Sequence, residues 1–537
     1  VLEISNTLFL TDSRENPVMK FLKENAVLFV IALVNFFVIF FPNFLGYYGY
    51  SSDELYFIAC SKRLAFGYID HPPLCVFLLK CIRLLFGDSL PAIRLLPAMT
   101  HAVSILLVGI ITQRLGGGKF AQVLSGLAFS IMPCYLIFNS RYSKIFIEPF
   151  LFLLALFILL VILQEDRKKY WVPFGVVIGL GLMNKFTFAV YALAILMGIL
   201  LSPLKKHFRE KYFWLGILAM VVIVSPLLLW QIHHHFISAD FIRYRLTTYE
   251  VFTPPVFHII GQIILFHPLV FPLCLIGFFS LFFSPRYKPY RIFSWIVLVP
   301  FLLFLFTWSR MDRVAPLYPL LVSSGAVTLE AVINQRGRHW LKPFLISLLG
   351  AAGLISFLLF LPILPPKVLV EYPRKIFAEH QELQSPLWVG LFFMYDHLFA
   401  DRLGWESLVK DVAAVYHKLP AEDQEKAVIF ATSYGEAGAI ELLGQRYHLP
   451  PVVSLHNNYR LWGYGRAPWD VVIAIGADKE ILNSFFEKVE DPGVIHACEE
   501  CSFDEKRLPI YIGRKTKMPI KELWRIVNRN ILPPINF

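Results

Sequence analysis

The chain has 537 residues, of which 57% are hydrophobic and 17% charged. Soluble domains average about 45–50% apolar and about 25% charged residues, so this composition excludes a soluble enzyme, a disordered chain and a nucleic-acid-binding module, and points to a polytopic membrane protein. The formal net charge of +11 is not a nucleic-acid signal, because Lys and Arg fall in short loops between apolar runs.

Residues 1–23 are mixed and polar and do not read as a cleaved signal peptide. With about 20 apolar residues needed to cross a bilayer as a helix, eleven spans are expected, near 26–43, 91–113, 119–138, 145–163, 171–184, 186–202, 212–230, 257–283, 292–307, 314–333 and 342–361. The fifth and sixth are short, and one long tilted helix is the alternative. With residues 1–25 cytoplasmic, eleven spans put every strongly basic short loop on one side: Arg114/Lys119, Arg167–Lys169, Lys205–Lys211, Arg286–Arg291 and Arg336–Lys342. This is the positive-inside pattern, and merging the fifth and sixth spans would destroy it. The exterior then receives the loops 44–90 and 231–256 and everything after Pro362.

The first external loop reads Ser51-Ser-Asp53-Glu54, and then Asp70-His71-Pro-Pro-Leu74. Ser51 with Glu54 makes a capping box, Asp53 sits in the first helical turn, and Gly67 is placed to end that helix. The apolar residues Leu55, Ile58, Ala59 and Leu64 suit a helix lying in the membrane interface. A carboxylate there is also able to take a proton from an acceptor, and capping and catalysis are compatible. Arg141 follows the third span and Glu148-Pro149 opens the fourth. Lys185 lies between two apolar segments. A lysine at bilayer depth costs about 2.5–3.5 kcal/mol and marks function, whereas near the interface it snorkels. His233-His234-His235 lacks the i, i+4 spacing of helical metal ligands and reads as a cap on the seventh span. Arg243, Arg245, Arg310 and Arg313 are external, against the charge bias. A phosphate, a lipid headgroup or a carboxylate partner would each account for them.

From about Lys367 charge rises and long apolar runs stop. Strands are expected at 427–431, 471–475 and 508–512, with helices at 405–419, 436–443 and 479–489 between them, which is the pattern of a small α/β domain. The glycines of Tyr434-Gly-Glu-Ala-Gly438 read as a tight turn, and the aromatic and amide-rich stretch 456–465 reads as a packed loop or as a sugar-contacting surface. Cys498-Glu-Glu-Cys501 suits a local disulfide in an oxidising compartment. The other five cysteines lie in or near apolar stretches and read as core hydrophobes.

The Asp53-Glu54 pair after the first span and His71-Pro-Pro-Leu74 resemble the GT-C glycosyltransferases. Arg141…Glu148-Pro149, Gly179-Leu-Gly-Leu-Met-Asn-Lys185 and Arg313-Val-Ala-Pro-Leu-Tyr318-Pro319 extend the likeness. The protein O-mannosyltransferases and the lipid A aminoarabinose transferases are the nearest families, over roughly residues 26–330. The resemblance implies Asp53 as catalytic base, with Glu54 beside it and Glu148, where many relatives carry Asp, as a second acid. It implies Lys185, Arg141 and Arg245 as ligands of a lipid phosphate, with Arg243 and Arg313 as further candidates and His71 and Tyr318 lining the cavity. The Trp-Trp-Asp-Tyr-Gly hallmark of oligosaccharyltransferases is absent, which argues against en bloc oligosaccharide transfer and its metal.

The expected fold is a polytopic α-helical GT-C membrane domain (26–362) followed by a soluble periplasmic α/β domain (363–537). The expected function is inverting transfer of a sugar from a polyprenyl-phosphate donor, undecaprenyl phosphate in a bacterial inner membrane, to an extracytoplasmic lipid, glycan or protein. No metal, cofactor or nucleic acid is expected. The alternative is a polytopic lipid or solute transporter.

Overall fold

The computed structural model describes residues 17–245, 247, 254–307, 309–380, 386–465 and 469–530. Among the described residues six helices are long and apolar enough to cross a membrane, or eight if each bent pair is one span, and three shorter apolar helices accompany them. The pair Lys119–Ser130 and Pro133–Asn139 bends by 62°, at a proline that cannot continue the upstream hydrogen-bond ladder. A single span over 257–283 does not form. Two helices, Pro255–Leu265 and Phe271–Phe283, replace it. His267 between them has φ of 75°, and it precedes Pro268, a position disfavoured for helix. Around Lys185 the chain forms two helices, Trp171–Leu182 and Phe188–Leu200, rather than one tilted helix.

The basic loops meet at one end of the bundle. Arg114 pairs with Glu165 at 2.9 Å, Arg286 donates to the Gly116 carbonyl at 2.6 Å, and Lys206 lies 3.3 Å from Asp166. Lys168 pairs with Glu210, and Lys119 reaches the carbonyl of Glu24 in the N-terminal segment. The loops that share a sign of charge thus share an end, and the first external loop lies at the other.

Beyond the last long helix, Leu341–Phe360, two helices run over Tyr372–Glu379 and Pro386–Ala400. The second carries Leu-Trp-Val-Gly-Leu-Phe-Phe, which corrects the expectation that apolar runs end near Lys367. A six-stranded sheet follows, in the order β2-β1-β3-β6-β4, with β5 on β6. Its strands are β1 (Ala427–Ala431), β2 (Val452–Ser454), β3 (Val471–Ile475), β4 (Phe486–Glu490), β5 (Ile495–Ala497) and β6 (Arg507–Thr516). β1 pairs parallel with β2 and β3, while β6 runs antiparallel to β3 and β4. Every residue of β1 and β3 is buried, as expected for parallel strands covered on both faces. The helix expected over 479–489 stops at Phe485, and Phe486-Glu-Lys-Val-Glu490 becomes a short charged edge strand.

Helix Ser52–Lys62, expected at the membrane interface, is enclosed by protein on the face of its apolar residues. Residues Leu55 to Cys60 are each at most 1% exposed, and Leu55 packs into the same apolar cluster as Trp405, Leu408, Ile429 and Ile473 beside the sheet. Helix Tyr434–Leu443 lies across it. A Cβ at Gly435 would stand 3.0 Å from the Ser52 Cβ, and one at Gly438 2.8 Å from the Leu55 carbonyl carbon. The stretch expected as a tight turn is therefore a helix whose glycines permit close approach. Gly67 has a similar use: helix Ser52–Lys62 ends before it, and a Cβ there would stand 2.4 Å from the Trp230 ring.

The helix Tyr434–Leu443 begins with a capping box between Ser433 and Glu436. Burial pushes the Glu436 carboxyl up to about 7, against the hydrogen bonds from Ser433 and Thr432. Glu505 shares Ser433 with it, and its carboxyl is also raised, by burial and by Glu436. A carboxyl raised in the fold contributes stability below its ordinary value, and that contribution is lost as pH rises through the folded value. The thermal midpoint should fall as pH rises from about 4.5 to about 7. Glu436→Gln keeps an acceptor for the cap and should flatten that dependence, measured by unfolding in detergent across the interval.

Candidate functional site

The site is organised by an ion pair that carries no chemistry itself. Glu54 is fully buried, and its two oxygens accept from Arg94 Nε at 2.8 Å and Nη2 at 2.7 Å. They also accept the Ser51 N–H at 2.9 Å and the Tyr142 N–H at 2.8 Å. Arg94 completes its donors on Asn43 Oδ1 at 3.0 Å and the Gly49 carbonyl at 2.7 Å. Burial acts to raise the Glu54 carboxyl, but Arg94 outweighs it and holds the carboxyl below the usual range. Every acceptor direction of Glu54 is taken. Glu54, expected beside Asp53 as a catalytic acid, thus has both oxygens occupied by internal hydrogen bonds.

The neighbouring Asp53 is different. It is half-buried in the first turn of the same helix, and its Oδ1 accepts from the Tyr434 hydroxyl at 3.3 Å. Asp401 accepts the Ser52 N–H at 3.2 Å and lies 4.0 Å from Arg141 Nη1. Burial raises the Asp401 carboxyl despite His397 and Arg141 nearby. The adjacent Arg402 is fully buried, donates to Ser140 Oγ at 2.8 Å, and is pushed down to about 9 by burial and by Arg94 and Arg141.

Asp70 was not singled out by sequence. It accepts from Tyr56 Oη at 2.7 Å and faces Lys144 Nζ at 3.4 Å. Burial would raise its carboxyl, but His71, Lys144 and Tyr56 together hold it below the usual range. His71, expected in the cavity, does not line the groove beside these residues. It is sealed between Phe57 and Tyr68, with ring centroids at 4.7 and 4.8 Å, and its Nδ1 lies 2.8 Å from the Pro72 carbonyl. Burial lowers its pKa against the opposing pull of Asp70, and the ring shapes the loop.

A groove of about 490 Å³ opens beside these residues. Phe138, Phe360, Ile376, Leu391, Phe392 and Tyr395 make its long apolar wall, and Arg141, Arg310, Asp312 and His397 make its polar end. Arg141 Nε is buried without a hydrogen-bond partner. Arg310 grips Asp312 through two 3.0 Å bonds, and Lys185 and Arg313 lie within electrostatic reach of Asp312. Lys185 Nζ donates to Glu148 Oε2 at 2.6 Å, while Thr187 Oγ1 donates to Glu148 Oε1 at 2.6 Å. Glu148 therefore holds Lys185 in place, and both of its oxygens are engaged. Arg310, Asp312 and His397 were absent from the expected site. Arg310 was noted in the sequence only as an external arginine, and a contact between residues so far apart in the chain leaves no local signal.

Two expected phosphate ligands lie away from the groove, and neither Arg313 nor Tyr318 lines it. Arg243 and Arg245 are exposed and do not line the groove. Arg245 lies over the Phe241 ring and within electrostatic reach of His456. Tyr318 stacks on Phe266 at 3.5 Å and donates to Gln262 Oε1 at 3.1 Å, so it packs helices and is not part of the groove's lining. Arg313 donates to Ser309 Oγ at 3.3 Å, and its carbonyl accepts from Tyr191. His234 stacks on Trp230 at 4.0 Å at the end of helix Lys211–His233. Among the described residues no group of three or more His, Cys, Asp or Glu side chains is arranged to hold a metal ion. Cys498 and Cys501 form a disulfide, which packs against Gly404, where φ is 82°.

The sequence profile of the dolichyl-phosphate-mannose-protein mannosyltransferases matches residues 70–230. No curated protein matches the sequence. Among solved structures, ArnT from Cupriavidus metallidurans bound to undecaprenyl phosphate is similar with a TM-score of 0.56 at 15% identity, over 91% of this chain and 97% of that one. The same protein in its apo state gives 0.55 at 15% identity over the same shares. The chain thus has the fold of a GT-C glycosyltransferase.

Removing one partner of a buried ion pair strands the other charge, at a cost of about 3–5 kcal/mol. Arg94→Met should therefore lower the thermal midpoint of the purified protein sharply, whereas the exposed pair Arg167–Glu165 should be removable with little change.

Proposed function

We propose that this chain, with its GT-C fold, is a membrane glycosyltransferase that moves a sugar from a polyprenyl-phosphate donor onto an extracytoplasmic acceptor. The observation that carries the reading is the groove: an apolar wall ending at Arg141, Arg310 and Asp312, with Asp401 linking Arg141 to the backbone beside Asp53. The ArnT structure that this chain resembles was solved with undecaprenyl phosphate bound, which supports a lipid of the same class here.

In this reading the isoprenoid lies along Phe138, Ile376, Leu391 and Tyr395, and the phosphate meets Arg141 and Arg310, with Lys185 behind them. Guanidinium groups bind phosphate through paired charge-assisted hydrogen bonds. The Asp53 carboxylate takes the proton of an acceptor hydroxyl or amine. The acceptor attacks the anomeric carbon with inversion as the bond from that carbon to the phosphate oxygen breaks. The electron pair departs with the phosphate, and the preplaced cations stabilise its growing charge. The leaving group needs no protonating acid, so the reading assigns none to Glu148, which orients Lys185. It places the site at the periplasmic face of a bacterial inner membrane, with the sheet unit on the same side, and it requires no metal.

General-base catalysis contributes about 10²- to 10⁴-fold. Asp53→Asn should reduce transfer of labelled sugar by at least about 100-fold while the amount of co-purifying polyprenyl phosphate, measured by mass spectrometry, stays at the parent level. A parent-like rate in pure Asp53→Asn protein rejects the base assignment. Arg310→Gln should do the reverse first, weakening retention of the phosphate lipid by about 10-fold or more, as expected for one lost charge-assisted bond. Unchanged lipid binding in that variant would remove the groove end from the phosphate site.

A further inference from the structure

Two helix starts lie side by side at the site. Helix Ser52–Lys62 carries Asp53 in its first turn, and helix Tyr434–Leu443 opens with Tyr434 beside it. Each is fixed by a complete capping box, Ser51 with Glu54 and Ser433 with Glu436. The glycines at 435 and 438 let the two helices approach so closely that a Cβ at either position would collide with Ser52 or Leu55. The Tyr434 ring is held from both flanks, 5.2 Å from the Tyr56 ring and 4.8 Å from the His456 ring. Its hydroxyl stands 3.3 Å from Asp53 Oδ1.

We propose that Tyr434, contributed by the C-terminal sheet unit, is the positioning residue for Asp53, so that the sheet unit is part of the transfer centre rather than an appended domain. The proposal rests on the reading of Asp53 as the base and deepens it. A carboxylate on a half-exposed helix turn rotates about two side-chain torsions, and fixing it in one geometry is worth much to a proton transfer. The Tyr434 O–H donates to Oδ1 and leaves Oδ2 to face the acceptor. Burial, followed by the Asp53 and Asp401 carboxylates, pushes the Tyr434 phenol well above its usual value, so it remains a donor at every pH at which the protein is assayed.

Tyr434→Phe tests this in the full-length protein, because it deletes the donor and keeps the ring between Tyr56 and His456. The rate at saturating donor and acceptor should fall about tenfold, as expected on losing a hydrogen bond to a charged group, with the KM for the donor lipid and the thermal midpoint unchanged. In an Asp53→Asn background the same substitution should have no further effect, since the group it positions is gone. If Tyr434→Phe turns over at the parent rate while Asp53→Asn is inactive, the positioning role is wrong and the base assignment stands. If Asp53→Asn is itself parent-like, the reading beneath both falls. A loss of rate accompanied by an equal loss of thermal stability, or by a raised donor KM alone, assigns Tyr434 to packing and overturns the proposal.

Discussion

The Glu54–Arg94 pair is the constraint on which the rest of the structure depends. One carboxylate and one guanidinium, both at most 2% exposed, join six places in the chain. These are the end of the first long helix through Asn43, the loop through Gly49, the cap of the next helix through Ser51, the second long helix through Arg94 and the segment after the third through Tyr142. The sixth is the post-membrane chain: Gly49 donates to the Arg402 carbonyl at 2.9 Å. A buried pair is weak evidence for stability but strong evidence for a specified geometry when all its hydrogen-bond directions are filled. Here the geometry specified is the direction in which Asp53, one residue away, leaves its helix.

Charge balance explains why the cations of the groove come with anions. Buried or half-buried Lys and Arg need partners, and Lys185 has Glu148 and Arg141 has Asp401, while the exposed Arg310 pairs with the buried Asp312. The pairings differ in closeness. Lys185 and Arg310 are held at 2.6 and 3.0 Å, whereas Arg141 is 4.0 Å from its carboxylate and keeps a buried, unpartnered Nε. An incoming anion would therefore gain most at Arg141, where the least is already compensated.

What was legible in the sequence was local. The helix start at Asp53 could be read because a capping box spans only four residues, and β1 and β3 fall where their apolar runs predicted them. The separation of the two helices around Lys185 followed from the alternation of basic loops. The partners of Glu54 and Glu148 were not legible, because sequence shows a carboxylate and not what it binds: Arg94 is 40 residues from Glu54 and Lys185 is 37 from Glu148. Arg243 and Arg245 share the sign and the side expected of phosphate ligands, yet their helix turns them outward, which no charge count reveals. The lid of the groove was missed because Pro386–Ala400 is too short for a span and too apolar for an ordinary surface helix, and such a segment has no single reading until its neighbours are known.

The segment from Asp396 to Trp405 shows how the two halves of the site are made one. Asp396 takes both a 2.6 Å and a 2.8 Å bond from Arg374, fixing the two lid helices to each other. The same guanidinium donates to the carbonyls of Glu499 and Cys501 at 2.5 and 2.7 Å, which ties the lid to the disulfide loop. His397 faces the groove, Asp401 reaches the Ser52 N–H, and Arg402 binds Ser140. Gly404 packs on the disulfide, and Trp405 on Gly435. Ten consecutive residues thus touch the wall of the groove, the helix of Asp53 and the core beside the sheet.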